Sequence, residues 1–130
     1  MQTWEPFASL TTNPNRESPF WIEAKIKRTA YYISAHGYGH ASRSVPVLKK
    51  LADISHVFVK SSIDFEFFND SLEKNFEYIP QNVDAGCQHS NSLLIDTEKS
   101  FQKLHSFFEN TNLREEEKWL VENNIDLVIS

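Results

Sequence analysis

The stretch ISAHGYGHASRS, Ile33 to Ser44, decides how this chain is read. An apolar run, Tyr31-Tyr32-Ile33, empties into two glycines one residue apart, Gly37 and Gly39, flanked by His36 and His40. A helical pattern follows. A strand, a tight Gly-x-Gly turn and a helix start bring backbone N–H groups and the positive end of a helix to one point. Such a point suits an anionic or polyhydroxylated ligand. The two imidazoles set a proton acceptor beside it. This is a candidate active-site loop.

Outward from the loop, strand and helix patterns alternate. The first strand is expected over Thr29 to Ser34. A helix follows from Ser42 or Ser44 to Leu51, with Val45, Leu48 and Leu51 on one face. Pro46 suits a first turn and would be costly deeper in, so Ser42 or Ser44 is the expected N-cap. His56 to Lys60 reads as a second strand, Ile63 to Glu73 as a helix, and Phe76 to Ile79 as a third strand ended by Pro80. A polar loop from Gln81 to about Asp96 holds Asp84, Gly86, Cys87 and His89. Helical spacing resumes at Thr97 with Phe101, Leu104, Phe107 and Phe108. Asn112 with Glu115 resembles a capping box for a last helix, and Asn124 a left-handed stop before a fourth strand, Ile125 to Ser130.

This alternation predicts an α/β fold, a Rossmann-like parallel sheet with helices on both faces and four strands present. The near-continuous apolar strands agree, because parallel strands are buried on both sides. In the common strand order the ligand crevice opens between the first and fourth strands, beyond their carboxyl ends. Residues 1–27 stand apart. Pro6, Pro14 and Pro19 among Thr and Asn give turn chemistry without periodicity. They are expected to form an extended or disordered leader, with Trp4, Phe7, Phe20 and Trp21 as possible anchors to the body at 28–130.

Composition narrows the function classes. The 130 residues are 40% hydrophobic and include ten Phe, enough for a packed core. Net charge is −5, from 13 basic and 18 acidic residues, and no basic block appears. Nucleic acid and anionic membrane are therefore not expected partners. A single cysteine, Cys87, fits a reducing compartment. No secretory signal and no transmembrane run is visible, so a soluble cytoplasmic protein is expected.

Several chemistries can be weighed on the residues. The third glycine of a dinucleotide fingerprint falls on Ser42, and Lys60-Ser61-Ser62 stands where an acidic residue would hold a ribose, so no nicotinamide or flavin cofactor is expected. His36 and His40 are four apart but separated by a glycine turn, which removes the helical argument for a metal pair, and no metal is expected. His36, directly after the strand, suits a general base toward a sugar hydroxyl; His40 suits substrate binding or loop order. Arg43, in the first helical turn, opposes the helix dipole and points to an anionic ligand, a carboxylate partner or a solvated surface role. Asp84 before Gly86 is either an Asx turn or a hydroxyl-binding carboxylate. Cys87 reads as structural, and Glu115-Glu116-Glu117 as a solvated helix face.

The stretch ISAHGYGHASRSVPVLKKL resembles the opening loop and helix of glycosyltransferases with the two-domain GT-B fold. It is closer to the glycosyltransferase-like N-terminal domain of L-arabinokinase-type proteins, where a His-Gly-aromatic-Gly-His-Ala-Ser/Thr-Arg loop precedes a Val-rich helix. Asp84-x-Gly86, Trp119-Leu120 and Asp126-Leu127-Val128-Ile129-Ser130 are similar to that group as well. The resemblance spans residues 28–130, and only His36 to Arg43 is specific. It implies an acceptor-binding domain whose loop histidine, His36 or His40, deprotonates an acceptor hydroxyl. Gly37, Tyr38, Gly39, Arg43 and Asp84 are the expected substrate-binding residues. A nucleotide-sugar donor would be held by a C-terminal domain, and an Asp orienting the histidine would fall at or beyond residue 131. On that basis the chain is expected to be the first part of a glycosyltransferase, inactive alone. A domain of an L-arabinokinase-like sugar kinase, and a non-catalytic sugar- or nucleotide-binding module, are the alternatives.

Overall fold

The computed structural model describes residues 26–73 and 75–130. The expected leader lies, but for its last two positions, outside the described residues. The rest is the α/β fold read from the sequence: a four-stranded, fully parallel sheet in the order β3-β2-β1-β4. The strands are β1 (Arg28–Ile33), β2 (His56–Ser61), β3 (Glu77–Pro80) and β4 (Leu127–Ile129). The helices are α1 (Gly39–Ile54), α2 (Phe65–Ser71), α3 (Thr97–Asn110) and α4 (Leu113–Glu122). Strand order reverses between β1 and β4, which puts a crevice at their carboxyl ends. No helix among the described residues is long and apolar enough to cross a membrane.

Side-chain alternation along β1 and β2 divides the core. Tyr31, Ile33, Val57 and Val59 meet Leu48 of α1 and Phe68 of α2 on one face of the sheet. On the other face, Phe58 packs edge-on against Trp119 of α4 at 5.4 Å between centroids. Register between β1 and β4 is fixed at their starts. The Asp126 carboxylate accepts the backbone N–H groups of Lys27 (2.8 Å) and Arg28 (3.0 Å), and the Arg28 guanidinium donates to the Asn123 carbonyl.

Several boundaries differ from expectation. The first helix begins at Gly39 with Tyr38 as N-cap, ahead of Ser42 and Ser44, so Pro46 lies well inside it. Ala41 and Leu48 are the buried positions of that helix, and burying Ala41 requires the extra leading turn. Pro46 leaves the Ser42 carbonyl without its helical N–H donor. The second helix spans only Phe65–Ser71, and the fourth strand only Leu127–Ile129. The expected caps hold: Asn112 Oδ1 accepts from the Glu115 N–H (3.3 Å), and Asn124 takes a φ of 51°. The apolar spacing of α3 is present, but Phe101, Leu104 and Phe108 stay exposed.

Glu116 departs furthest from the sequence reading. It is not solvated. Its carboxylate pairs with Lys60, which is only 2% exposed, and accepts from the Tyr32 hydroxyl and from Gln81 Nε2 (3.1 Å). The Lys60 ammonium also lies 3.5 Å over the Trp119 ring. Burial works to raise the Glu116 pKa, but the hydrogen bonds from Lys60, Tyr32 and Gln81, with the Lys60 charge, hold it below its ordinary value. Burial, then the bond to Glu116 and its charge, push the Tyr32 phenol up, so it stays a donor.

Two outcomes follow. Glu116→Ala leaves a buried ammonium without its counter-charge, and should cost about 3–5 kcal/mol in urea unfolding. Because the folded-state pKa of Glu116 is depressed, its contribution is complete above the unfolded carboxylate pKa of ~4.3 and is lost as pH falls through the folded value. Wild-type stability should therefore drop on acidification below about pH 4.3, and part of that drop should be missing in Glu116→Gln. An acid limb identical in the two proteins would remove Glu116 from the account.

Candidate active-site cleft

The turn after β1 is built by local hydrogen bonds. The His36 N–H donates to Ser34 Oγ (3.3 Å) and the Gly37 N–H to the Ala35 carbonyl (2.9 Å). Gly37 has a φ of +83°, which a side-chain-bearing residue adopts only under strain. Gly39 starts α1, and space beside it is open. Tyr38 turns its ring onto Phe67 of α2, 5.2 Å between centroids, and does not line the cleft. No side chain caps the N-terminus of α1 and its first turn holds no acidic residue, so its leading N–H groups and positive dipole are left for a ligand.

A cleft of about 490 Å³ lies where the β1 turn, the first turns of α1, the loop after β3 and the end of β4 converge. Its polar lining comes from Ser34, His40, Arg43, Ser44, Asp84 and Ser130, with Tyr31 and Tyr32 as walls. His40, Arg43 and Asp84, named from sequence, are thus brought together. His36 is not in the lining. It sits at the rim, with Nε2 2.7 Å from Asp84 Oδ1. Oδ1 is itself buried and lacks any linear hydrogen bond, so it keeps acceptor capacity.

Gly86 explains the position of that imidazole. With a φ of +62°, Gly86 lies against the His36 ring, and a Cβ there would come within 2.1–2.5 Å of its Cε1, Nε2 and Nδ1. The ring occupies the space a side chain at 86 would need. The Asp84 carboxylate oxygen thus faces Nε2 at contact distance without an aligned hydrogen bond.

Ser34, Ser130, Tyr32 and the role of Gly86 were not identified from sequence. A signal existed for the two serines, since each directly follows the carboxyl end of a strand beside the crevice. Nothing local marked Tyr32, whose outward reach depends on α4.

No family model matches the chain, and no solved structure gives a significant match. Among curated proteins it is similar to L-arabinokinase of Arabidopsis thaliana, 30% identical over 76 residues. The aligned stretch is 57% of this chain and 7% of that protein.

Gly86→Ala tests the rim geometry. Left-handed strain and the overlap with His36 should cost about 1–3 kcal/mol, and the imidazole should leave Asp84. The side-chain resonances of His36, followed by NMR, should then match those of Asp84→Asn. Unshifted His36 resonances in a folded Gly86→Ala protein would contradict the packing described.

Proposed function

We propose that residues 28–130 form a sugar-binding domain of a transferase related to L-arabinokinase, and that the cleft at the ends of β1 and β4 holds a sugar for activation of one hydroxyl. The observation that carries this reading is the His36–Asp84 pair at the cleft rim, 2.7 Å apart. As the sugar oxygen bonds to the terminal phosphorus or the anomeric carbon of a nucleotide donor, the bond to the nucleoside diphosphate breaks and that diphosphate leaves, while the hydroxyl proton passes to Nδ1 of His36 beside the Asp84 carboxylate. Serine hydroxyls and His40 hold the remaining sugar hydroxyls. Arg43 and the uncapped start of α1 face the charge of a phosphoryl or diphosphate group.

The same base serves phosphoryl and glycosyl transfer, because both need a deprotonated hydroxyl. Similarity to L-arabinokinase favours a kinase-type parent with L-arabinose as the sugar. The paired positive elements beside the cleft favour glycosyl transfer from a nucleotide-sugar, the second reading, with the donor held by a further domain. An exposed single thiol, Cys87, suits a reducing cytoplasm.

Titration of the chain with L-arabinose and with UDP-sugars, followed by amide NMR, tests the assignment. Signals of Ser34, His40 and Ser130 should move. His40→Ala or Arg43→Ala should weaken binding roughly three- to tenfold. In the longer parent protein that carries the donor-binding domain, His36→Ala should leave binding in place and lower transfer to the sugar about 10²–10⁴-fold. Equal losses of binding and rate in His36→Ala would sink the base assignment, and no response to any sugar would sink the function.

A further inference from the structure

On the second face of the sheet, α4, β2 and the loop after β3 enclose another cleft, of about 410 Å³. That is within the ~300–1,000 Å³ usual for small-molecule sites. Its floor is Lys60, Glu116 and Trp119, and its rim carries the amides of Gln81, Asn82, Asn110 and Asn112. We propose that this cleft is a second ligand site, separate from the one at the ends of β1 and β4, and that it takes a neutral sugar ring or a polyol of similar size.

Charge selects a neutral ligand. The ionic groups in the lining are Lys60, Glu115 and Glu116. Lys60 is already paired with Glu116 and seated over the Trp119 ring, so it offers no free cation to a phosphate. Glu115 adds an uncompensated negative charge to the rim.

Hydrogen-bonding capacity selects hydroxyls. Gln81 spends Nε2 on Glu116 (3.1 Å), which leaves its carbonyl oxygen to accept. Asn110 spends Nδ2 on the Ser106 carbonyl (2.8 Å), which likewise leaves Oδ1. Asn112 accepts at Oδ1 from the Glu115 N–H, which leaves Nδ2 to donate. Asn82 brings a whole amide. A phosphate only accepts and an ammonium only donates, whereas a sugar hydroxyl does both and can use this mixed rim. The half-buried Trp119 indole, one face of which is taken by the Lys60 ammonium, adds apolar surface to the cleft wall.

The floor is also set before a ligand arrives. Glu116 receives Lys60, Tyr32 and Gln81 together, so these side chains have little left to lose on binding. Tyr32 is a wall of the first cleft as well, so the two sites back onto one residue.

The indole N–H signal of Trp119, assigned by its absence in Trp119→Phe, reads this site. In titrations of the whole chain with D-glucose and L-arabinose that signal should move and saturate. Asn82→Ala, on the exposed rim, should weaken the response roughly three- to tenfold at unchanged melting temperature. His40→Ala, confined to the first cleft, should leave it intact. An unmoved Trp119 signal overturns the proposal, as does a response unaltered in Asn82→Ala. A tighter response to glucose 6-phosphate than to glucose, or loss of the response in His40→Ala, overturns it too. Movement at Trp119 with none at Ser34 or His40 supports this second site and counts against the function assigned to the first.

Discussion

Lys60 carries an ammonium into the interior of a parallel sheet, and much of the second face is arranged around that charge. A buried cation must be paired or it does not stay charged. The pair comes from Glu116, so α4 has to lie across β2 at a fixed height, with Trp119 one turn further on packed against Phe58 and under the ammonium. Tyr32 and Gln81 then donate to the same carboxylate, one to each oxygen. A hydrophobic replacement of similar volume would hold the helix about as well. What it would not supply is a polar floor beside a cleft of amides.

The rim of the first cleft depends on a different constraint, the absence of a side chain at Gly86. Two loops that are fifty residues apart in sequence meet because the His36 ring rests where that side chain would be, next to Asp84. The turn after β1 cannot hold the imidazole alone, since its own hydrogen bonds are to backbone and to Ser34. Position therefore comes from across the sheet's carboxyl edge, and the loop after β3 acts as a backstop for the loop after β1.

Much of this was legible in the chain. Near-continuous apolar strands separated by helical spacing are enough for a parallel sheet, and the Gly37 turn marked the edge at which the first cleft opens. Local chemistry gave Asn112 and Asn124 correctly. Other features were hidden because they are decided by packing. Pro46 suggested a helix start, but burial of Ala41 against the sheet outweighed the lost hydrogen bond and began the helix at Gly39. Glu116 looked like one of three solvated acids, and only the fold shows that its neighbours face water while it meets Lys60. Tyr38 sat between the two glycines of the turn, yet its aromatic ring found Phe67.

The two histidines divide the remaining chemistry by what surrounds them. His40 stands in the first turn of α1 and lines the cleft. His36 stands outside the helix with a carboxylate on one nitrogen and the other nitrogen open. Of the two, only His36 has a carboxylate oxygen against its ring among the described residues, and the proposed base role rests on that contact. The family resemblance put such a carboxylate after the fourth strand. Here Asp84 reaches the imidazole from the loop after the third, so a carboxylate–histidine pair is assembled within the described residues without any residue from the end of β4.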